Sequence, residues 1–328
     1  MAFYVSKSFN NIIMVRKFLI TIAILLISNV GFALNNNVSV LVAKGYSCVT
    51  ENDYFHALNY FLKAQKISDT KKIQMKIADC YYCRYQLKEC VMILEKIKED
   101  SLSHDAFKEL YYAYGAMEKP TTQEIYGYAL IRRFPMDSRI LASLMHLIID
   151  NDKYGTRQIL AVEFGENYYK KDSDNVEVNR ALAQAYFFSQ KYDKSLNIYQ
   201  RLLQENDTTF SGLYYTGLCY EYLHNLDSAK VYLQKAVNLS PKNPVGMYRL
   251  GMVESQLHQN LEAISHLETA AQLYQPSPTL MRLIYKNLGQ SEAELGNKLK
   301  ALEAWKKALT YEPDEDITSR IKQISGGK

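Results

Sequence analysis

The chain has 328 residues, is 48% apolar and 23% charged, and holds 14 Gly, 7 Pro, a single Trp and 27 Tyr, a composition able to bury a sizeable core and neither disordered nor collagenous. Its formal charge of +4 is concentrated at one end: Lys7, Arg16 and Lys17 are the charged side chains of the first 33 residues, and subtracting these three from 39 Lys and Arg leaves 36 against 35 Asp and Glu. A remainder so close to neutrality lacks the clustered basic excess that nucleic-acid binding by counterion release requires.

The first element is a leader. Met14-Val-Arg16-Lys17 runs into ten mainly apolar residues, Phe18 to Ile27, and Gly31-Phe-Ala33 supplies the small residues of a cleavage point, the layout of a secretory signal peptide over 1–33. The apolar run meets Ser28 and Asn29 after ten residues, short of the roughly 20 that a membrane span needs, so removal after Ala33 is expected rather than retention as an anchor. Residues 1–13, with Lys7, Asn10 and Asn11, are unusual ahead of such a signal and point to translation from Met14. No Cys follows the apolar run closely, which argues against a lipid anchor. The expected product is exported, periplasmic or extracellular; action inside the cell is the alternative if the segment is not a signal.

Beyond the leader one period dominates. Gly45 and Ala78 stand 33 residues apart, Ala183, Gly217 and Gly251 stand 34 apart, and Gly289 follows after 38, with an insertion around Gln275-Pro-Ser-Pro278. Twelve positions after these small residues come Ala57, Cys90, Ser195, Ala229, Ala263 and Ala301. Four further on stand the large residues Phe61, Leu94, Tyr199, Leu233, Leu267 and Trp305, and three beyond those Ala64, Ile97, Leu202, Ala236, Ala270 and Ala308. The later blocks close with Asp207, Pro241, Pro276 and Pro313. Small residues let two antiparallel helices approach closely, and the large one fills the gap. Asn225-Leu-Asp227, His258-Gln-Asn260 and Gly296-Asn297 supply turns between the helices, while Pro241 and Pro313 end the second helix by removing a backbone donor. Blocks at about 104–135 and 138–171 show two helical patterns each but few of the small residues, and are expected to pack irregularly or bend the array. Six clear and two degenerate repeats therefore span 34–324, ending in a polar helix over 315–324 that caps the last repeat. No stretch has the period-2 alternation of strands. The pattern predicts one elongated all-α unit without linkers.

Tyr285, Leu288-Gly289, Ala301, Trp305, Ala308 and Pro313 nearly complete the signature of the tetratricopeptide repeat family, which the whole array resembles. Glu254 and Glu292 depart from it, standing where the first helix usually has an aromatic. The resemblance implies an α-solenoid, a right-handed superhelix of about eight helix hairpins, acting as a non-catalytic scaffold or adaptor for a protein or peptide partner, with no cofactor.

Catalytic patterns are missing from the sequence: no phosphate-binding loop, no His-Glu-x-x-His, no Gly-x-Ser-x-Gly and no calcium loop. The six His are dispersed, and His224 and His258 fall on equivalent turns without a third metal ligand. Cys80-x-x-Cys83 lies inside a first helix rather than at a helix N-terminus, which favours packing thiols over redox or zinc chemistry. A disulfide among Cys48, Cys80, Cys83 and Cys90 is the alternative that export permits.

Most tyrosines fall on packing positions, Tyr199, Tyr232 and Tyr285 among them. The family resemblance implies a concave face lined by first-helix residues three before and one, four and five after the small residue. In this chain these are Arg180, Gln184, Phe187 and Phe188, then Tyr214, Leu218, Glu221 and Tyr222, then Tyr248, Met252, Ser255 and Gln256. The stripe is rich in residue types that anchor protein interfaces, so a groove for an extended peptide or helix is expected between about 177 and 256, unless neighbouring helices cover it. Some family members clamp a peptide's terminal carboxylate; here Arg180, Arg249, Gln184 and Tyr215 lack the Asn that the resemblance would require, and carboxylate capture is not expected. A structural role in an envelope complex and glycan binding are the alternatives, with membrane contact only through the leader before cleavage.

Overall fold

A computed structural model describes residues 37–273 and 277–326, so the predicted leader and the Gln275-Pro276 part of the predicted insertion lie outside the described residues. Among the described residues the regular structure is helical throughout, and no helix is long and apolar enough to cross a membrane. The chain divides into two compact units, up to Phe134 and from Pro135 onward, where a single unit was expected. The division follows a helix with only Glu124, Gly127 and Leu130 buried, which ends against Pro135.

The first unit contains three helix hairpins. They are α1 (37–50) with α2 (Tyr54–Ile67), α3 (Lys71–Cys83) with α4 (Leu87–Leu94), and α5 (His104–Ala116) with α6 (Pro120–Arg133). The second contains five: α7 (Ser138–Asp150) with α8 (Gln158–Tyr169), α9 (Val176–Phe188) with α10 (Tyr192–Gln204), α11 (Phe210–Tyr222) with α12 (Leu226–Leu239), α13 (Pro244–Gln256) with α14 (Asn260–Leu273), and α15 (Pro278–Glu294) with α16 (Lys298–Tyr311). The predicted cap follows as α17 (Glu315–Ile324), its N-terminus closed by Asp314, which accepts the Ile317 N–H at 3.1 Å.

The hairpins close on the pairs that the period singles out. A Cβ added at Gly45, Gly217, Gly251 or Gly289 would lie 2.7, 2.7, 2.8 and 2.3 Å from Phe61, Leu233, Leu267 and Trp305 respectively, so glycine at these positions is what lets the helices touch. All four large partners are at most 2% exposed. Where the small residue is Ala183, its carbonyl accepts the Ser195 hydroxyl at 2.7 Å, satisfying a polar group that is fully buried.

Turn geometry repeats as faithfully. Tyr85, Gln190, His224, His258 and Gly296, each one residue past the cap of a first helix, have φ between 58° and 79°. The residue after each donates its N–H five positions back, as Gln86 to Tyr81 (2.8 Å) and Asn225 to Tyr220 (2.8 Å), while the turn residue donates three back. This is the Schellman arrangement, which satisfies the carbonyls at a helix end.

In the two degenerate blocks the sizes at the paired positions are exchanged. Counted from the helix start, Met145 of α7 occupies the small position and is fully buried, and its partner is Gly165, whose added Cβ would lie 2.8 Å from the Met145 methyl and 2.8 Å from Leu182. In the third hairpin fully buried Tyr111 takes the small position, and buried Gly127 stands sixteen residues on, where Phe61 or Trp305 stand in their own repeats.

Two insertions of one turn are also placed. The 38-residue step to Gly289 lengthens α15 to 17 residues, against 13 in α13. The other lies between α7 and α8, where the Asp152 carboxylate accepts backbone N–H groups of Thr156 (3.1 Å), Arg157 (2.6 Å) and Gln158 (3.2 Å) and so caps α8 from a distance. At the departures from the aromatic pattern, Glu254 is 1% exposed and meets His266 Nδ1 at 2.6 Å, and Glu292 accepts from Asn297 at 2.7 Å.

Candidate functional site

Phe187, near the end of α9, organises the surface on which the expected groove falls. Its ring makes edge contacts with Tyr215 (centroids 5.1 Å apart), Tyr192 (5.5 Å), Phe188 (5.5 Å) and Tyr222 (5.7 Å). Tyr192 and Tyr222 stack nearly parallel at 4.6 Å, and Tyr199 stacks under Tyr215 at 5.8 Å. Together they form a cleft of about 340 Å³ lined by Phe187, Phe188, Tyr192, Tyr214, Tyr215 and Tyr222, with Gln190, Leu218 and Arg249.

The stripe expected from the sequence is only partly an open surface. Phe188 and Tyr222 are 37% and 44% exposed, whereas Phe187 is 9% exposed and serves as the floor. Tyr248 does not line the cleft: it is 5% exposed and packs with Leu267, Ala270, Met281 and Ile284. Leu218 and Ser255 are buried, Ser255 accepting the Ser291 hydroxyl at 2.9 Å, while Met252 is half-buried and Gln256 exposed. Arg180 is an internal staple; its guanidinium binds Asp207, past the end of α10, through contacts of 2.7, 2.8 and 3.3 Å. Gln184 donates to the Tyr215 hydroxyl at 3.1 Å. Tyr192 was missed because it belongs to a second helix; its signal is an aromatic directly after the turn, beside two aromatics that end the first helix.

Arg249 and Glu221 supply the charge. Their closest approach is 3.7 Å, and Glu221 Oε2 is buried without a hydrogen-bond partner. Burial pushes the Glu221 carboxyl up, against the pull of Arg249. The Tyr214 hydroxyl is pushed up to about 12 by burial, so it stays neutral and able to donate. Burial works against the Arg249 charge, but Tyr214 and Glu221 beside it leave the guanidinium held above its ordinary value. The cleft can thus enclose an apolar side chain and offer it phenol and guanidinium donors from its lining.

Among the described residues no three His, Cys, Asp or Glu side chains are placed to hold a metal ion. The five cysteines are unpaired thiols; Cys80, Cys90 and Cys219 are buried, Cys48 is half-buried and Cys83 exposed. Burial pushes Cys80 up to about 12 and Cys219 up to about 11, away from the reactive thiolate.

The family model of the tetratricopeptide repeat matches residues 216–243, which cover the second half of α11, the turn and all of α12. The chain has the tetratricopeptide-repeat fold. Its fold is shared by the C-terminal part of a TPR repeat-containing protein from Cytophaga hutchinsonii, at 13% identity and a TM-score of 0.54 over 75% of this chain and 98% of that one. A tetratricopeptide repeat protein from Parabacteroides merdae is similar at 13% identity and a TM-score of 0.52, over 78% and 99%. A chain of the Cut9–Hcn1 hetero-tetramer of the APC/C is similar at 17% identity and 0.52, over 84% of this chain and 53% of its own. None of the curated proteins matches the sequence. The tetratricopeptide-repeat fold supports a general role as a protein-interaction scaffold.

Proposed function

We propose that this tetratricopeptide-repeat protein is a non-catalytic adaptor that docks an extended peptide or a helix of a protein partner on the first-helix face of residues 135–328, with the cleft between α9 and α11 receiving an apolar anchor. The observation that supports this most is the exposure of Phe188 and Tyr222 around the Phe187 floor, since aromatic side chains in a concave setting, next to an arginine, are the usual anchors of interfaces. The reading predicts that Phe188→Ala and Tyr222→Ala, whose side chains are exposed, each weaken capture of the native partner about tenfold or more while helicity by circular dichroism is unchanged. Capture at wild-type strength by the double variant would overturn the docking site. Phe187→Ala is the weaker probe, because the ring is part of the packing.

We further propose that residues 1–33 export the protein to the periplasm or exterior. N-terminal sequencing of the protein from fractionated cells should give a chain starting at Leu34; full-length protein confined to the cytoplasm would sink the proposal.

A further inference from the structure

A second groove, of about 310 Å³, is lined from α8, α9 and α10. Its apolar lining is Leu182 and Tyr186, both buried, with half-buried Tyr169 and Ile198. Gly165 makes room for it: a Cβ there would lie 2.8 Å from Leu182. Cations gather around this lining. Lys194 and Lys191 sit 5.2 and 5.9 Å from the centre of the Tyr186 ring, and the Arg201 guanidinium lies 5.2 Å over Tyr169, donating to its hydroxyl at 2.8 Å. Lys170 is the fourth, exposed and part of the lining. Two carboxylates answer them. Glu166 accepts the Tyr186 hydroxyl at 2.6 Å and stands 3.8 Å from Lys194, and Glu205 stands 4.0 Å from Arg201. The nearby acids of the α8–α9 loop serve that loop, Asp172 accepting the Asp174 N–H at 3.2 Å and Asp174 the Ser173 hydroxyl at 3.0 Å. Among the described residues no carboxylate forms an ion pair with Lys170 or Lys191, so the groove carries unmatched positive charge in a chain that is otherwise close to neutral. Stems resting on an aromatic ring keep the ammonium groups of Lys191 and Lys194 in place beside the groove.

We propose that this groove is a second docking site, separate from the α9–α11 cleft, for an acidic segment of a protein partner: a leucine-like side chain enters against Tyr169, Leu182 and Ile198, and carboxylates flanking it meet Lys170, Lys191 and Lys194. Charge of opposite sign on the partner speeds encounter and selects against basic segments, while the apolar side chain supplies the burial. A lipid surface suits the site less well, because Leu182 and Tyr186 are 2% and 6% exposed and do not project as an anchor in a bilayer would. Nucleic acid is disfavoured by the near neutrality of the chain beyond its first 33 residues.

Fluorescence anisotropy tests this with the full-length protein and a labelled, C-terminally amidated peptide in which two glutamates stand on each side of one leucine. The peptide should bind at low ionic strength and weaken about tenfold as salt is raised to the physiological level. Combining Lys170→Glu with Lys194→Glu should weaken it about tenfold or more, and Lys170→Gln with Lys194→Gln, which keeps the side-chain length, about threefold. Serine in place of the leucine should cost about tenfold, and lysines in place of the glutamates should abolish binding. Phe188→Ala combined with Tyr222→Ala, which probes the α9–α11 cleft, should bind the peptide as the wild type does, so the two sites succeed or fail separately. The proposal is overturned if the wild type leaves the peptide unbound, if both lysine pairs bind it at full strength, or if the serine or lysine peptide binds equally well. Loss of binding in the Phe188 and Tyr222 variant alone would move the peptide to the other cleft, and capture of phosphatidylglycerol vesicles without capture of the peptide would assign the lysines to a lipid surface; either result also overturns it. Should the Glu pair fail to fold by circular dichroism, the Gln pair and the altered peptides decide.

Discussion

At the scale of single residues, Gly296 and Glu254 are instructive because each isolates one force. Gly296 has φ +79° and an added Cβ would meet nothing within 4 Å, so Gly296→Ala changes backbone strain alone. The variant should lose about 1 kcal/mol in urea unfolding. Gln190→Gly should hold or gain slightly, since it already sits at φ 59° with a Cβ. Glu254 is held by contact with His266. Removing the partner strands a buried carboxylate, and His266→Ala should cost about 3 kcal/mol. Glu254→Tyr, placing there the residue type of Tyr186 and Tyr220 in the preceding repeats, should cost less, and thermal melting of the two variants checks the order.

Among elements, the size exchange in the α7–α8 hairpin makes the sharpest prediction. Gly165→Leu drives a side chain into Met145 and Leu182 and should cost about 3 kcal/mol, Met145→Ala about 2–5 kcal/mol, and the double variant less than their sum by about 1 kcal/mol or more. Additive losses would show that the pair does not share one gap. The same hairpin shows where sequence reasoning ends. The period, the turns and the pairs such as Gly289 with Trp305 were legible because small and large residues kept their places. Tyr111 and Met145 made two hairpins read as degenerate because packing requires one small partner in each pair and does not specify which helix supplies it. The stripe was legible as a face but not as a surface: Tyr248 and Arg180 occupy the expected positions yet are used up by neighbouring core residues and by Asp207, and only coordinates reveal such use.

Across the second unit as a whole, stability depends on how the last repeat is closed. Arg282 bonds to Glu312 and Asp314, Lys286 reaches Asp314 at 3.2 Å and Asp316 at 2.9 Å, and Ile317 of α17 shares a cluster with Trp305. Burial raises Asp314, but the Ile317 N–H and then Lys286 and Arg282 outweigh it and hold the carboxyl below its ordinary 3.8. Lys286 and Arg320 lower Asp316, and Thr279 and Arg282 lower Glu312 from 4.5. For depressed carboxyls the contribution is complete above the ordinary values and lost as pH falls through the depressed ones, so the cap should loosen below pH about 4. Trp305 is the single tryptophan, and its emission should shift to the red in that range before the helical signal falls; coincident transitions would show that the cap has no separate opening. The regular turns have a use in this setting. Gln190, His224 and His258 are exposed, recur once per hairpin, and hold their backbone geometry by main-chain bonds that do not depend on side-chain identity. They are therefore ready-made rungs for spectroscopic labels, and the spacing between successive labels would gauge how far an arriving partner bends this stack.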